Sequence, residues 1–174
     1  MLSSYFNYSG LGPTSPVVEM AKQEAENNFK REWFTESGVE FYKNILNSCH
    51  VHITRLLGSK DSEDVSILPN ASFGLNAAIF LMNLKCHDVV MTTDQEHLSV
   101  KRPLEKLTQK GIKVIEISGN SEEEFINNLK RQMASEKPQL LIISHVSYKD
   151  GRIFPIEEIG EIAKWHGVSL IVDG

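Results

Sequence analysis

A buried β-strand is indicated by the run Val168-Ser169-Leu170-Ile171-Val172-Asp173-Gly174, which places one carboxylate at the end of an apolar segment. Short aliphatic and β-branched runs of this kind are typical of parallel strands that are covered on both faces. In open α/β sheets, ligands bind beyond the carboxyl ends of such strands. Asp173 is therefore predicted to lie where a functional side chain would be useful.

Strand-like and helix-like segments alternate along the chain before this run. Strands are predicted at residues 65–68, 89–93, 112–117 and 140–144. Helices are predicted at residues 72–83, 99–110, 121–133 and 155–166. This alternation predicts an α/β fold in which a mostly parallel sheet carries helices on both faces.

Two regions are expected: an N-terminal arm with helices, residues 1–64, and an α/β domain, residues 65–174. The aromatic and turn-rich segment at residues 5–13 predicts an ordered loop or arm. One helix is predicted to begin at Pro16 and a second near Ser37. Because the sequence stops directly after Asp173-Gly174, we expect the α/β domain to be incomplete and the chain to be a truncation or a fragment.

The composition is ordinary for a globular protein. Of the 174 residues, 41% are hydrophobic and 24% are charged, and the net charge is −5 at pH 7. This balance gives no reason to expect nucleic acid or an anionic membrane as a partner. No apolar run reaches the ~20 residues of a membrane span, and the N-terminus lacks a secretory signal pattern. A cytoplasmic location is therefore expected.

Cysteine and histidine residues do not form a recognisable metal-binding pattern. Cys49 and Cys86 form neither a disulfide framework nor a C-x-x-C pair. His50 and His52 lie two positions apart in a predicted helix, where their side chains diverge. No metal site is expected.

Polar residues follow the predicted strands, at positions that a parallel sheet would bring to one edge. They are Asn70-Ala71-Ser72, Glu96-His97, Ser144-His145, Tyr148-Lys149 and Asp173. A cofactor site is expected at such an edge, although strands also lead into polar loops that have no function.

The first of these segments, Asn70-Ala71-Ser72, precedes a predicted helix and allows two interpretations. Backbone N–H groups and the Ser72 hydroxyl could hold a phosphate with the help of the helix dipole. The same residue types also form an ordinary N-cap. The sequence has neither G-x-G-x-x-G nor G-x-x-x-x-G-K-[ST], so a Rossmann-like nucleotide binder has little support.

His97 and Asp173 offer more specific chemistry. An imidazole can stack on an aromatic ring or move protons near neutral pH. A buried carboxylate beside a heterocyclic nitrogen keeps that nitrogen protonated by charge pairing. A pyridine ring that serves as an electron sink requires that protonation.

In their order and spacing, the motifs resemble the class V aminotransferase group of pyridoxal-phosphate (PLP) enzymes, which includes cysteine desulfurases, C–S lyases and isopenicillin-N-epimerase-like proteins. The segments that carry this resemblance are Tyr5-Phe6-Asn7-Tyr8 with Gly12-Pro13, Asn70-Ala71-Ser72 with Gly74-Leu75-Asn76, Glu96-His97 with Ser99, Ser144-His145-Val146-Ser147 with Gly151 and Pro155-Ile156, and Ile171-Val172-Asp173-Gly174. The resemblance covers nearly the whole chain. It implies part of the large, PLP-binding domain of a fold type I enzyme.

The resemblance also implies roles for five residues. His97, stacked on the cofactor ring, and Asp173, paired with its pyridine nitrogen, would be the catalytic residues. Ala71, Ser72 and Tyr148 would complete the cofactor site, with Tyr148 near the position where the family usually carries an asparagine. An amino-acid substrate and a homodimer of the full-length form are implied as well.

The resemblance leaves the particular reaction open. The family's Schiff-base lysine lies downstream of the matched segments, so this chain alone is expected to be inactive. Lys149, the only lysine on the predicted edge, follows the wrong strand. Desulfurase, C–S lyase, epimerase and aminotransferase activities all fit, and a non-catalytic remnant or binding module that retains the fold is the alternative.

Overall fold

The computed structural model describes residues 12–32 and 34–174. The chain forms two compact units, one that ends at Ile67 and one that spans Leu68–Gly174. The predicted aromatic segment Tyr5-Phe6-Asn7-Tyr8 lies outside the described residues.

The first unit is helical. Its described residues form α1 (Pro16–Glu32), α2 (Glu36–Leu56) and a 3₁₀ turn (Ser62–Asp64). Pro16 occupies the first position of α1, where its missing N–H has no helical partner to lose. Thr35 caps α2, since its side chain accepts a hydrogen bond from the backbone N–H of Gly38 at 3.1 Å.

The second unit is the predicted α/β structure. Its elements in chain order are α3 (Ala71–Leu81), β1 (Val89–Thr93), α4 (Leu98–Gln109), β2 (Lys113–Ile117), α5 (Glu122–Glu136), β3 (Leu140–Ser144), α6 (Ile156–Trp165) and β4 (Ser169–Asp173). The four strands pair in parallel in the order β2-β1-β3-β4. The expectation of a mostly parallel sheet is confirmed.

Helices cover both faces of this sheet, as predicted. Alternate side chains of the strands point to opposite faces, so Met91 and Leu141 pack with α5 and α6. Val90 and Ile142 pack with α3 and α4 on the other face. All five residues of β3 are buried, which explains why its sequence is an uninterrupted apolar run rather than an alternating one.

The strand predicted at residues 65–68 is wrong. Val65 has extended dihedral angles, with φ −118° and ψ 127°, but the segment has no regular secondary structure. A strand requires a neighbour to complete its backbone hydrogen bonds, and none pairs with this segment in the described parts of the chain. Ile67 and Leu68 are consequently 44% and 42% exposed.

None of the helices described at residues 12–32 and 34–174 combines the length and apolar character that a bilayer crossing needs.

Candidate functional site

The carboxyl ends of β1, β3 and β4 lie side by side because the three strands are parallel. In the register of the sheet, Ser144 at the end of β3 is opposite Asp173 at the end of β4. The backbone N–H of His145 then donates to the Asp173 carbonyl at 2.7 Å. The strand ends therefore form a continuous polar edge, and Asp173 is part of it.

Glu96 joins two of these strand ends from the inside. Its side chain is fully buried, and Oε1 accepts hydrogen bonds from the Thr93 hydroxyl at 2.6 Å and the Ser144 backbone N–H at 3.1 Å. Oε2 accepts a bond from the Ser144 hydroxyl at 2.5 Å. A buried carboxylate is tolerated when its oxygens are satisfied in this way. These bonds fix the start of the loop that carries the next residue, His97.

His97 is the N-cap of α4. Its Nδ1 atom accepts a hydrogen bond from the backbone N–H of Ser99 at 3.2 Å, and the Ser99 hydroxyl lies 3.0 Å from the same nitrogen. The imidazole also meets the Tyr148 ring edge-on, with ring centroids 4.9 Å apart and an interplanar angle of 85°. Two predicted site residues, 51 positions apart by number, are thereby brought into contact.

The loop that bears Tyr148 is held on both sides. The Arg152 guanidinium donates to the carbonyls of Gly119 at 2.7 Å and Ser121 at 2.9 Å, and it lies 4.9 Å from the ring centroid of Phe154. On the other side, the Lys149 ammonium donates to the Asp94 carbonyl at 2.7 Å. The loop is therefore tied to the segments that follow both β1 and β2.

One carboxyl group within this loop has a shifted pKa. The backbone N–H of Arg152 donates to Asp150 at 3.0 Å, and together with the Ser147 hydroxyl it holds the pKa of Asp150 below its usual value. Hydrogen bonds donated to a carboxylate favour its charged form. The hydrogen bonds that Asp150 accepts are therefore strongest when its carboxyl group is ionised.

Ala71 and Ser72 are the first two residues of α3, and both are exposed. Asn70 is the N-cap, because its side chain accepts from the Phe73 backbone N–H at 2.9 Å. The N-cap interpretation of this segment is therefore correct, and the early N–H groups of α3 leave room for the phosphate interpretation as well. Helix α3 packs on α4 and β4, the two elements whose ends carry His97 and Asp173.

The structural roles of Glu96, Ser99 and Arg152 were not predicted from the sequence. Glu96 and Ser99 stood inside a recognised motif, but nothing in the sequence showed that Glu96 is buried or that Ser99 bonds to His97. Among the described residues, no group of three or more histidine, cysteine, aspartate or glutamate side chains is placed to hold a metal ion. Cys49 and Cys86 are free and exposed.

The amino-acid sequence matches a known protein family. The sequence profile of the aminotransferase class-V family matches residues 15–174. The chain belongs to that family.

The curated relatives are described as cysteine desulfurases. A probable cysteine desulfurase from Synechocystis sp. is 26% identical over 125 residues, which are 70% of this chain and 30% of that protein. A probable cysteine desulfurase from Pyrococcus abyssi is 33% identical over 117 residues, which are 64% of this chain and 28% of that protein. The chain thus spans less than a third of the length of these relatives.

Solved structures show the same fold at low sequence identity. The cystine C–S lyase C-DES, in complex with cysteine persulfide, has a TM-score of 0.88 and 18% identity, and the match covers 98% of this chain and 46% of C-DES. A cysteine desulfurase from Thermococcus onnurineus has a TM-score of 0.63 and 24% identity, covering 92% of this chain and 35% of that one. These likenesses establish the fold of the chain.

Proposed function

We propose that the chain is the cofactor-holding part of a PLP-dependent enzyme that acts on an amino acid, of the cysteine desulfurase or C–S lyase type. Membership of the aminotransferase class-V family supports this proposal. In a solved structure of a C-DES variant, glycine is covalently linked to the PLP cofactor. The observation that carries the proposal is the polar edge, where Glu96 ties the His97 loop to Ser144, the neighbour of Asp173.

The donors and acceptors at this edge fit PLP. Asp173 is a partly buried carboxylate at a strand end, with no side-chain hydrogen bond to another described residue. It suits a protonated pyridine nitrogen. The His97 ring suits the flat face of the cofactor, and the start of α3 at Ala71 and Ser72 suits its phosphate. The Tyr148 hydroxyl is a donor suited to the phenolic oxygen.

When bound, PLP supplies an electron sink for charge that develops on the substrate. Asp173 would hold the proton on the pyridine nitrogen by charge pairing. His97 would cover one face of the ring and exclude water from it. The positive end of the α3 dipole would favour the dianionic phosphate over neutral ligands.

The alternative is a binding module that retains the fold without the chemistry. In the enzyme proposal, the full-length form is a cytoplasmic homodimer that supplies the Schiff-base lysine from outside this chain. Both proposals predict that the cofactor binds, and they differ in whether turnover accompanies binding.

Cofactor binding can be tested on the chain itself by equilibrium dialysis against PLP. We expect non-covalent binding that Asp173→Asn weakens by about tenfold, because a charge-assisted contact contributes on the order of 1.5 kcal/mol. Glu116→Gln is the matched control, since it makes the same acid-to-amide change at an exposed position of the same sheet. Equal affinity in the wild type and Asp173→Asn would contradict the proposed role of Asp173.

Two further measurements test the role of Lys149 and distinguish the enzyme from the binding module. Treatment of the PLP-loaded chain with borohydride should leave no specific adduct on Lys149, and a trapped adduct there would contradict this expectation. In the full-length enzyme, Asp173→Asn should raise the activation free energy of turnover by more than about 2 kcal/mol. A full-length protein that binds PLP but turns over no amino acid would favour the binding module.

A further inference from the structure

His97 is an imidazole whose hydrogen-bond partners reveal which ring nitrogen carries the proton. A backbone N–H can only donate a hydrogen bond, so the Nδ1 atom that lies 3.2 Å from the Ser99 nitrogen must be the acceptor. The Ser99 hydroxyl, 3.0 Å from the same atom, must then donate to it as well. Both donors of Ser99 therefore converge on the lone pair of Nδ1.

We propose that Ser99 is a positioning residue that fixes the neutral imidazole of His97 in the form protonated on Nε2. A neutral imidazole has one N–H and one lone pair, and the bond that its first nitrogen makes determines the state of the second. With Nδ1 accepting, the proton resides on Nε2. No hydrogen bond to Nε2 is present within residues 12–32 and 34–174, so this N–H remains available to a ligand.

The contact with Tyr148 supports the same assignment. A half-turn of the imidazole about its Cβ–Cγ bond would exchange Nδ1 with a carbon atom and leave the Ser99 N–H without an acceptor. The edge-on packing against Tyr148, at 4.9 Å between centroids, restricts this rotation. The capping bond and the contact with Tyr148 together favour a single orientation of the imidazole.

For the reaction, this inference rests on the proposed function and deepens it. An Nε2 atom that carries the proton has no free lone pair, so neutral His97 acts as a hydrogen-bond donor toward a bound cofactor or substrate and not as a base. Removal of a proton from the substrate then falls to another group. The tautomer itself does not depend on whether PLP binds.

His52 is expected to adopt the other tautomer. The Nδ1 atom of His52 lies 2.6 Å from the carbonyl oxygen of Ser48, and a carbonyl can only accept. His52 should therefore carry its proton on Nδ1. His97 and His52 should therefore show opposite tautomers in the same NMR spectrum, so His52 serves as an internal reference.

Long-range ¹H–¹⁵N NMR of the uniformly labelled chain tests the inference without cofactor, at about pH 8.5, where ordinary imidazoles are neutral. We expect His97 to show the pattern of a ring protonated only on Nε2 and His52 the pattern of a ring protonated on Nδ1. The His97 signals are assigned by their loss in His97→Asn. A His97 ring protonated on Nδ1, or an even mixture of forms, would overturn the proposal from the wild-type spectrum alone.

Two variants at one position then separate the donors of Ser99. Ser99→Ala removes the hydroxyl but keeps the backbone N–H, and His97 should stay protonated on Nε2. Ser99→Pro removes the hydroxyl and the N–H together, in the first turn of the helix, where proline is tolerated. The His97 ring should then change from the form protonated only on Nε2 to a mixture of forms. An unchanged tautomer in Ser99→Pro would show that Ser99 does not set it. PLP dialysis reports separately on the proposed function, so failure of one test leaves the other intact.

Discussion

The N-terminal ends of α4 and α5 follow neighbouring strands of one sheet, but they are built differently. At α5, the Ser121 hydroxyl accepts from the Glu124 backbone N–H at 3.1 Å, and the Glu124 carboxylate accepts from the Asn120 N–H at 2.8 Å. Three acidic residues occupy the first turn of α5. At α4, the cap is His97, and the first turn has no acidic residue.

This difference distinguishes a helix end built for stability from a helix end that carries a proposed site residue, His97. Serine, threonine, aspartate and asparagine are the preferred N-caps, and acidic residues in the first turn interact favourably with the helix dipole. The α5 end satisfies both preferences, whereas the α4 end satisfies neither. The buried Glu96, directly before the α4 end, is hydrogen-bonded to Thr93 and Ser144, and the cap position is occupied by the His97 ring.

Removal of the Glu96 side chain is expected to cause the largest change. Glu96→Ala leaves the Thr93 hydroxyl and both Ser144 donors without their buried acceptor, at a cost of about 3 kcal/mol in the free energy of unfolding. Glu124→Ala, the matched change at the α5 end, removes an exposed bond and should cost about 0.5 kcal/mol. Urea unfolding measures both, and equal costs would mean that Glu96 does not support the α4 end.

Loss of the Ser121 cap should have an intermediate effect. Ser121→Ala is expected to lower the free energy of unfolding by about 1 kcal/mol, the usual cost of losing a serine N-cap. It should leave PLP affinity unchanged, because Ser121 has no place in the proposed site. A clear loss of PLP binding in Ser121→Ala would show that the α5 end, like the α4 end, contributes to the proposed site.

Replacement of His97 by a better cap should have a small effect on stability and the opposite sign. His97→Asn supplies a preferred N-cap and is expected to leave the unfolding free energy equal or raise it by roughly 0.5 kcal/mol. The same variant should weaken PLP retention by about 1 kcal/mol, since it loses the stacking ring. Thermal unfolding and dialysis on one preparation test this trade-off, which a destabilised variant with full PLP binding would refute.

The smallest expected effect concerns the loop that touches both helix ends. The pKa of Asp150 is lowered in the folded chain. The stabilisation that comes from its hydrogen bonds is therefore fully present above the ordinary carboxyl pKa of about 3.9. That stabilisation is lost as the pH falls through the lowered pKa of Asp150 in the folded chain. The NMR shift of the Arg152 amide should titrate with a midpoint below 3.9, and Asp150→Asn should abolish the titration. A midpoint at or above about 3.9 would show that folding does not lower the pKa of Asp150.

Local sequence patterns predicted much of the fold. The strands at residues 89–93 and 140–144 coincide with β1 and β3, because each is an apolar run bounded by polar residues. Ser121 and Glu124 predicted the start of α5, since a capping box needs only neighbours in sequence. The segment at 65–68 failed because pairing depends on partners elsewhere in the chain.

The site was predictable only as a set of positions on one edge. His97, Tyr148 and Asp173 could be assigned to strand ends, but the 4.9 Å contact between His97 and Tyr148 depends on how two loops are held. Glu96 looks like an ordinary loop acid in the sequence, and its burial follows from Ser144, 48 positions away. The tautomer of His97 depends on hydrogen-bond geometry, which residue types alone do not specify.

The outer strands of the sheet differ in a way that determines how it can be extended. The exposed Lys113 and Glu116 on β2 discourage a further strand, because charged residues are a common protection of sheet edges. Between Ser169 and Asp173, β4 carries only leucine, isoleucine and valine, and Val172 is 40% exposed. The β4 edge is therefore less protected than the β2 edge against a further strand, and a parallel strand added beside β4 would end next to Asp173. Any segment that completes the sheet would bring its own side chains directly to the candidate site.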